Sequence, residues 1–549
     1  MKRIILPLLA LGLLSWACVK VDNSLGKGLV DNSLIYDTYT VEFPLTTIRM
    51  DLADDLSGYS DSHVTIGAIR DDVFGLTTRS SAFSLIPSRD TIDLGKDPVA
   101  ISLDVYFSAD TVSCLYDSDA RILQNIYVYE LTDTLDLDNR STNKVIPYDA
   151  SKRITNGIPV YNGEGPLTFE FTQEYAQKYV DALVALGPAL YDRSGDSGLN
   201  RYSDYIKAVP GIYICTDAPA GNGGRINIFD LSCLSVSSNY YTINGNLSLL
   251  KVNSEWDGVR RDSTFILVPG EPVFYDENTY LNNNTKFYQY AFNRTTHETV
   301  SHAAAADILV EGGGGLKPVI PALELHDKTV AEIEAKGGDA SKAIIAKATI
   351  LLPYEMPADW KDMRFFPSIL SPTIRTAADD GSVNFAGLTD ASVDTENQGS
   401  LDRSNLCYAP DITYHLQEIL SRTDLATATD ADIWLLTVRT EKVASASGSA
   451  YDNDYYQQLL YASYYNSLYG GYGGYGYGYG YGYGGYGGYG GYSNYYNYAM
   501  LASYMNSTTQ QQYTTTTELD KDRFYRAVLN GPASSRKPVF RVTFSLPKD

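Results

Sequence analysis

The sequence predicts a mostly β fold made of antiparallel β-sandwich domains, with few short helices and one low-complexity insertion rich in Gly and Tyr. Short runs rich in β-branched and aromatic residues recur along the chain, and clusters of Gly, Asp, Asn and Pro separate them. Many of these runs alternate from residue to residue, as Ile126–Leu131 and Val539–Phe544 do. Period-two runs at this spacing are typical of antiparallel sandwiches.

The predicted elements extend over most of the chain. We predict a helix at Glu174–Leu186, because Tyr175, Tyr179 and Leu183 recur at helical spacing. A single short helix is predicted at Thr329–Ala335. The predicted strands, in chain order, are Ile35–Phe43, His63–Ile69, Val99–Phe107, Ile122–Leu131, Leu167–Phe171, Gly211–Cys215, Arg225–Phe229, Asn239–Ile243, Thr264–Val268, Lys286–Phe292, Ile344–Leu352, Ile433–Thr440, Phe524–Leu529 and Val539–Leu546.

Composition limits the classes of function. The chain has 549 residues and a hydrophobic fraction of 44 %, so a substantial core can form. Its formal net charge of −23 repels phosphate backbones and anionic lipid, which argues against nucleic-acid binding and against electrostatic docking on a membrane. One long apolar run, at the N-terminus, argues against several membrane spans.

The N-terminus has the pattern of an export signal. Lys2 and Arg3 precede the apolar run Ile4–Leu14, which is too short for a spanning helix, and Ala17-Cys18 follows it in the manner of a bacterial lipobox. We therefore predict a signal peptide over residues 1–17 and a lipidated Cys18 that begins a polar tether over residues 18–34. The alternative is an ordinary signal peptide that is cleaved nearby.

The rest of the chain is divided by composition into five predicted regions. Residues 35–170 are an N-terminal β-sandwich region, and residues 171–376 are a central β region with one helix. Residues 377–454 are the first part of a C-terminal β region. An uncharged insertion over residues 455–517 follows, and residues 518–549 supply the C-terminal strands.

The insertion is the most unusual segment. It contains no charged residue, and its middle, Tyr469–Tyr492, is almost entirely Gly and Tyr. One interpretation is a disordered low-complexity segment, and another is an aromatic element that contacts a protein, a membrane surface or a glycan. The tyrosines of this contact element are Tyr469, Tyr472, Tyr475, Tyr477, Tyr479, Tyr481, Tyr483, Tyr486, Tyr489 and Tyr492.

No motif predicts catalysis, a metal or a cofactor. His297 and His302 are five residues apart, whereas a zinc-protease helix needs four. Glu311–Pro318 is rich in Gly but lacks the Gly-Lys-Ser/Thr of a phosphate loop, so a loop between strands is expected. Asp136–Asn139 and Asp452–Asp454 lack the glycine and the terminal glutamate of an EF-hand and are expected to be acidic surface turns.

Four cysteines follow Cys18, and their spacing fits no zinc pattern. An exported compartment permits disulfides, so the redox state of Cys114, Cys215, Cys233 and Cys407 stays open. Cys215 and Cys233 flank one predicted hairpin and form the pair most worth testing.

Several stretches in order resemble the Bacteroidota lipoprotein family catalogued as domain of unknown function 4270. The resemblance implies an all-β, surface-exposed outer-membrane lipoprotein, and it carries over no catalytic residue. The stretches that carry it are Asp22–Gly26, Ile66–Thr77, Pro210–Ile214, Gly223–Leu231, Val310–Gly315, Ile344–Pro353 and Val539–Leu546.

These features together predict a lipid-anchored, non-enzymatic binding or structural subunit of a larger assembly at the outer membrane, on the cell surface. Its expected partner is an outer-membrane protein. The alternative is a surface lipoprotein for glycan binding or adhesion. A surface hydrolase without a recognisable motif is the third hypothesis.

Overall fold

A computed structural model describes most of the chain outside the N-terminal segment and the Gly/Tyr-rich insertion. The described residues are 36–88, 92–187, 196–231, 234–237, 240–243, 247–272, 287–288, 290–298, 306–377, 383–390, 399–444 and 513–548. They form a mostly β protein in which the strand pairs of the sheets are antiparallel, and this confirms the predicted fold class.

The strands are short and closely spaced. In chain order they are β1 (Tyr36–Pro44), β2 (Arg49–Leu52), β3 (Tyr59–Ser60), β4 (His63–Asp71), β5 (Gly75–Phe83), β6 (Leu85–Pro87), β7 (Lys96–Phe107), β8 (Ala109–Cys114), β9 (Gln124–Leu131), β10 (Tyr148–Arg153), β11 (Val160–Tyr161), β12 (Leu167–Glu170), β13 (Ile212–Thr216), β14 (Gly223–Asp230), β15 (Leu234–Ser237), β16 (Tyr240–Ile243), β17 (Leu247–Trp256), β18 (Val259–Pro269), β19 (Glu271–Pro272), β20 (Phe287–Tyr288), β21 (Ala291–Glu298), β22 (Asp307–Glu311), β23 (Leu316–Ile320), β24 (Ile344–Pro353), β25 (Ile369–Ala377), β26 (Val383–Gly387), β27 (Leu401–Asp402), β28 (Cys407–Tyr408), β29 (Ile433–Ala444), β30 (Tyr513–Leu519), β31 (Arg526–Asn530) and β32 (Val539–Pro547).

Helices are fewer. The α-helices of the described residues are α1 (Gln173–Leu186), α2 (Asp196–Ala208), α3 (Ala322–Ala335) and α4 (Thr413–Ile419), and short 3-10 helices lie at Asp117–Arg121, Ala340–Lys342 and Trp360–Phe365. None of the described helices is both long enough and apolar enough to cross a lipid bilayer.

The first half of the chain forms a sandwich. A large sheet in the order β10-β9-β13-β5-β4-β14-β8, with β3, β11 and β21 at its sides, packs against a companion sheet in the order β12-β7-β17-β18-β6. The sandwich core between them is apolar, with Phe83, Phe107 and Phe229 at its centre. Its inward side chains alternate with outward ones along strands such as β9.

Helix α1 closes one side of the sandwich core. The Thr172 hydroxyl accepts a hydrogen bond from the Tyr175 amide (3.3 Å) and caps the first turn. Tyr175, Tyr179 and Leu183 are buried along one face, as the sequence predicts.

The predicted short helix is wrong in length. Helix α3 begins at Ala322, two turns before the predicted start at Thr329. Pro321 precedes its first turn, and the Asp432 carboxylate accepts a hydrogen bond from the Ala322 amide (3.0 Å). This cap comes from a residue far along the chain, so local sequence does not reveal it. Helices α2 and α4 were not predicted.

The second half of the chain, together with β1 and β2, builds two further sheets around a second core. The terminal sheet has the order β1-β32-β24-β28-β27, and a neighbouring sheet has the order β2-β23-β29-β25-β26, with β30 paired to β29. The ribbon of β22 and β31 and the helices α3 and α4 supply the remaining core side chains.

The first and last strands pair along their whole length, with Tyr36 opposite Pro547 and Pro44 opposite Val539. Strand β1, which belongs to the predicted region 35–170, therefore lies in one sheet with β32 of the predicted region 518–549. The other region boundaries stay predictions.

Candidate binding site

Polar side chains meet where β5, β21 and the turn between β22 and β23 come together. His297 on β21 lies opposite Thr77 on β5, and its side chain is only 5 % exposed. The His297 Nδ1 is 3.3 Å from the Thr77 Oγ1 and 3.4 Å from the Glu311 Oε1. Within the described part of the chain, the Nε2 has no hydrogen-bond partner. The imidazole is thus held from one edge by a hydroxyl and a carboxylate.

The turn that follows Glu311 wraps around a buried ammonium group. The fully buried Lys317 donates hydrogen bonds from Nζ to the carbonyl oxygens of Glu311 (2.5 Å), Gly313 (2.8 Å) and Gly315 (3.2 Å). Gly313 has a φ of +56°, and a Cβ there would lie 2.6 Å from Arg79 Nη2. The glycines therefore allow the turn to place its carbonyl oxygens around the lysine. Carbonyl oxygens cannot donate hydrogen bonds to a phosphate, so the turn is not a phosphate-binding loop.

Burial and opposite charge act against each other in this cluster. Burial alone would raise the pKa of Glu311, but the charge and hydrogen bond of His297 and the Leu316 amide lower it below its ordinary value. Burial lowers the pKa of Lys317 to about 7, and Glu311 partly offsets this effect. Burial also lowers the pKa of Arg79. Each charge therefore depends on the presence of its neighbours.

A second buried pair lies nearby. The Asp522 Oδ2 is 3.0 Å from the His63 Nδ1 and accepts a hydrogen bond from the Ser60 hydroxyl (3.0 Å). Burial alone would lower the pKa of His63, but Asp522 raises it. Burial alone would raise the pKa of Asp522, but His63 and the nearby cations lower it below its ordinary value. The charges of Asp522 and Glu311 both act on Arg79. We use the name junction cluster for the side chains of His63, Arg79, His297, Glu311, Lys317 and Asp522.

A cavity of about 250 Å³ adjoins the junction cluster. At its side the Asn143 amide donates a hydrogen bond to the Asp54 carboxylate (2.6 Å), and the Arg294 Nε donates one to the Lys144 carbonyl oxygen (2.9 Å). The cavity thus offers a carboxylate, an amide and a guanidinium. Its lining consists of Leu52, Asp54, Asn143, Arg294, Thr295, Thr296, His297 and Gly314.

Four tyrosines form a row on the outer face of the large sheet, and we call Tyr127, Tyr129, Tyr148 and Tyr213 the tyrosine strip. The ring centroids of neighbours are 6.5 Å apart for Tyr127 and Tyr129, 5.1 Å for Tyr129 and Tyr148, and 4.5 Å for Tyr148 and Tyr213. Tyr148 is 37 % exposed and Tyr213 is buried. At the far end the Tyr127 hydroxyl donates a hydrogen bond to the Asp217 carboxylate (2.7 Å).

The site residues predicted from the sequence lie outside the described residues. These are Cys18, the predicted point of lipidation, and all the tyrosines of the predicted contact element in Tyr469–Tyr492. They stay predictions.

Three cysteines are described, and each is a free thiol. They are Cys114, Cys215 and Cys407, while Cys233 lies outside the described residues. Burial raises the pKa of all three thiols, that of Cys215 to about 12. Because Cys233 is not described, its pairing with Cys215 stays a question for experiment.

Two of the rejected motifs, Glu311–Pro318 and Asp136–Asn139, have the local structure expected of them, whereas Asp452–Asp454 lies outside the described residues. His297 lies on a strand and not on a helix, while His302 lies outside the described residues. Glu311–Pro318 is a turn between two strands. The Asp136 carboxylate accepts hydrogen bonds from amides within its own turn. Among the described residues, no group of three or more His, Cys, Asp or Glu side chains is placed to hold a metal ion.

The sequence patterns predicted neither the cavity nor the tyrosine strip. One signal for the strip was available, because the alternation in Ile126–Leu131 places Tyr127 and Tyr129 on one face of a strand. Tyr148 and Tyr213 join them through pairing of β9 with β10 and β13. That pairing is not local in the sequence.

Comparison with protein-family models, with curated proteins and with solved structures finds no match to this chain. The family resemblance described above therefore stays a prediction.

Proposed function

We propose that this chain is a lipid-anchored, non-enzymatic binding or structural subunit of a larger assembly at the outer membrane, exposed on the cell surface. The observation that carries the proposal is the lipobox-like Ala17-Cys18 after the apolar run Ile4–Leu14. Acyl chains on Cys18 would each add about 0.8 kcal/mol of membrane affinity per buried methylene.

The strand pairing supports a role in presenting contact segments. Strands β29 and β30 pair over seven positions, from Val438 opposite Leu519 to Ala444 opposite Tyr513. Residues 445–512, which include the Gly/Tyr-rich segment, connect Ala444 of β29 with Tyr513 of β30. The connection therefore leaves and re-enters the fold at two residues that are paired with each other.

The buried charges of the junction cluster fit a structural protein as well. Lys317 is engaged by three carbonyl oxygens, and Asp522 by the His63 ring and the Ser60 hydroxyl. Removal of one partner from such a buried pair destabilises a fold, and the contacts of Lys317 and Asp522 account for their positions without a substrate.

Metabolic labelling tests the anchor directly. Cells that express the chain are fed an alkyne analogue of palmitate, and the wild type is expected to carry the label in the outer-membrane fraction. The Cys18→Ala variant should lose both the label and the membrane association. Cys407→Ala is the matched control and should keep both, because Cys407 is a partly buried thiol within the fold. An unlabelled wild-type chain would overturn the proposal.

Crosslinking mass spectrometry after gentle solubilisation tests the assembly. We expect crosslinks to an outer-membrane protein, and we expect deletion of residues 469–492 to remove them while the chain stays in the membrane. Protease treatment of intact cells tests surface exposure in the same preparation. Repeated purification of the chain with no crosslinked partner would contradict the role as a subunit.

Glycan binding is the second candidate function, and the tyrosine strip is the observation that favours it. Aromatic rings that are partly exposed on a sheet present apolar faces beside polar edges. This combination suits sugar rings, which also have an apolar face and polar hydroxyl groups at their edges.

A further inference from the structure

The cavity and the tyrosine strip are neighbours. Asn143 lines the cavity and Tyr148 belongs to the strip, so a segment of only six residues connects them. Burial raises the pKa of Tyr148 and Tyr213, and the charge of Arg294, which lines the cavity, offsets a small part of that rise. Arg294 lies opposite Ser80 on β5, and the Tyr213 hydroxyl donates a hydrogen bond to the Ser80 hydroxyl (2.9 Å), so the two features lie on the same face of the large sheet.

The chemistry of the cavity favours a neutral ligand. Asp54 would repel an anion, and Arg294 would repel a cation. The formal net charge of −23 disfavours anions further. A hydroxyl group both donates and accepts hydrogen bonds, so a polyhydroxylated molecule can satisfy the carboxylate, the guanidinium and the amide of Asn143 together.

The position of the strip favours a ligand longer than one ring. Tyr148 is the most exposed member of the strip, and the rings of Tyr129 and Tyr127 follow it as successive neighbours. The Asp217 carboxylate at the far end is exposed and adds one more acceptor. A chain of sugars has the required alternation of apolar faces and hydroxyl groups.

We propose that the cavity and the tyrosine strip together bind a neutral oligosaccharide, with its terminal sugar in the cavity and the following sugars packed on Tyr148 and Tyr129. The proposal rests on the second candidate function and gives it a site made of residues within the described fold. The ligand class is a neutral glycan, in contrast to an anionic glycan or a protein.

Isothermal titration calorimetry of the full chain in detergent tests this site. The probes are four neutral hexasaccharides: cellohexaose, xylohexaose, mannohexaose and maltohexaose. At least one is expected to bind with a Kd of about 1 mM or tighter. Tyr148→Ala, which removes one ring contact, and Asp54→Asn, which removes one charged acceptor, are each expected to weaken binding about tenfold.

Tyr106→Ala is the matched control. Tyr106 is 41 % exposed on β7 of the companion sheet, so the variant loses a similar ring from a different surface, and its Kd should stay that of the wild type. Thermal unfolding of each variant checks that the fold is intact, and Tyr148→Phe replaces Tyr148→Ala if the latter unfolds early. The phenylalanine variant keeps the ring and should keep most of the affinity.

Three results would overturn the inference. They are no binding of any of the four hexasaccharides, an unchanged Kd in both Tyr148→Ala and Asp54→Asn, and loss of binding on deletion of residues 469–492 alone. Failure here leaves the anchoring proposal untouched, because acylation of Cys18 is scored by labelling and needs no glycan.

Discussion

Strand β5 contributes to two regions of the molecule that differ in chemistry. Phe83, at its end, is fully buried in the sandwich core and packs at 6.0 Å from the ring of Phe107. Arg79, four residues earlier, lies in the junction cluster among buried carboxylates. Apolar burial stabilises without regard to direction or pH, whereas a buried charge stabilises the fold only while its partner is present. The same strand therefore joins a region whose stability does not depend on pH to a region whose stability does.

Phe107→Ala tests the sandwich core, the region whose stability does not depend on pH. The Phe107 ring contacts the rings of Phe83, Phe169 and Phe229, with centroids 6.0, 6.0 and 5.8 Å away. Loss of these contacts and the cavity left behind should lower the free energy of unfolding by about 3–5 kcal/mol. Urea unfolding at acidic, neutral and alkaline pH should give the same loss each time. A loss that varies strongly with pH would contradict the comparison.

Asp522→Ala tests the junction cluster. It should lower the free energy of unfolding by a similar amount, about 3–5 kcal/mol at neutral pH. The substitution leaves His63, Ser60 and the Asn293 amide without their acceptor. Urea unfolding again measures the effect. Glu334→Ala removes an exposed carboxylate from α3 and should stay within about 0.5 kcal/mol of the wild type. If Asp522→Ala lowered the free energy of unfolding no more than Glu334→Ala does, the junction cluster would contribute little to stability.

Lys317→Met should destabilise the chain by about 2 kcal/mol or more, because three carbonyl oxygens lose their donor. The pH dependence has a definite sign. The pKa of Lys317 is about 7 in the fold and 10.5 ordinarily, so the unfolded wild type binds more protons between these values. The stability of the wild type relative to Lys317→Met should therefore rise with pH across this window. A fall would contradict the assignment of burial as the cause.

His63→Gln sharpens the comparison through a smaller effect. The folded pKa of His63 is raised, so its contribution is complete below its ordinary value of about 6.5 and is lost as pH rises through the folded value. The folded pKa of Asp522 is lowered, so its contribution is lost as pH falls below about 4. The stability difference between wild type and His63→Gln should be largest between these limits. A flat profile from chemical denaturation at each pH would count against the pairing.

Thiol reactivity gives the smallest effect. Burial raises the pKa of Cys215 to about 12, so little thiolate forms at neutral pH. Iodoacetamide should modify Cys215 slowly in the folded chain and rapidly in urea, as read by peptide mass spectrometry with Cys215→Ser as the blank. Fast modification of the folded chain would show that this thiol is not shielded by the sheet.

Local patterns of the sequence account for much of the fold. Alternation in Val539–Phe544 predicted β32, and the spacing of Tyr175 and Tyr179 predicted α1, because each pattern reflects which side faces the core. The first two turns of α3 were missed, since the cap on Ala322 comes from a distant aspartate. Sequence patterns also did not predict that β1 pairs with β32, because partner choice depends on the whole topology.

The candidate site was less predictable, and the reason is the same. His297 belongs to the rejected zinc-protease pattern, and Glu311 belongs to the rejected phosphate-loop pattern. Neither pattern predicts that the two side chains lie together. They meet because β21 pairs with β5 and the turn after β22 folds onto that pair. Tyr148 joins Tyr129 in the same way, through sheet order. Such contacts are set by register between segments, which a single sequence does not display.

The pairing of β1 with β32 also bears on how the molecule is made. Thr38 on β1 and Ser545 on β32 are 507 residues apart in the sequence, so β1 is synthesised long before its partner strand. Strand β1 must therefore wait, with one apolar face uncovered, until β32 has been made. Holding factors that shield nascent or exported chains would matter most for this segment, and premature release should leave β1 as the point where aggregation begins.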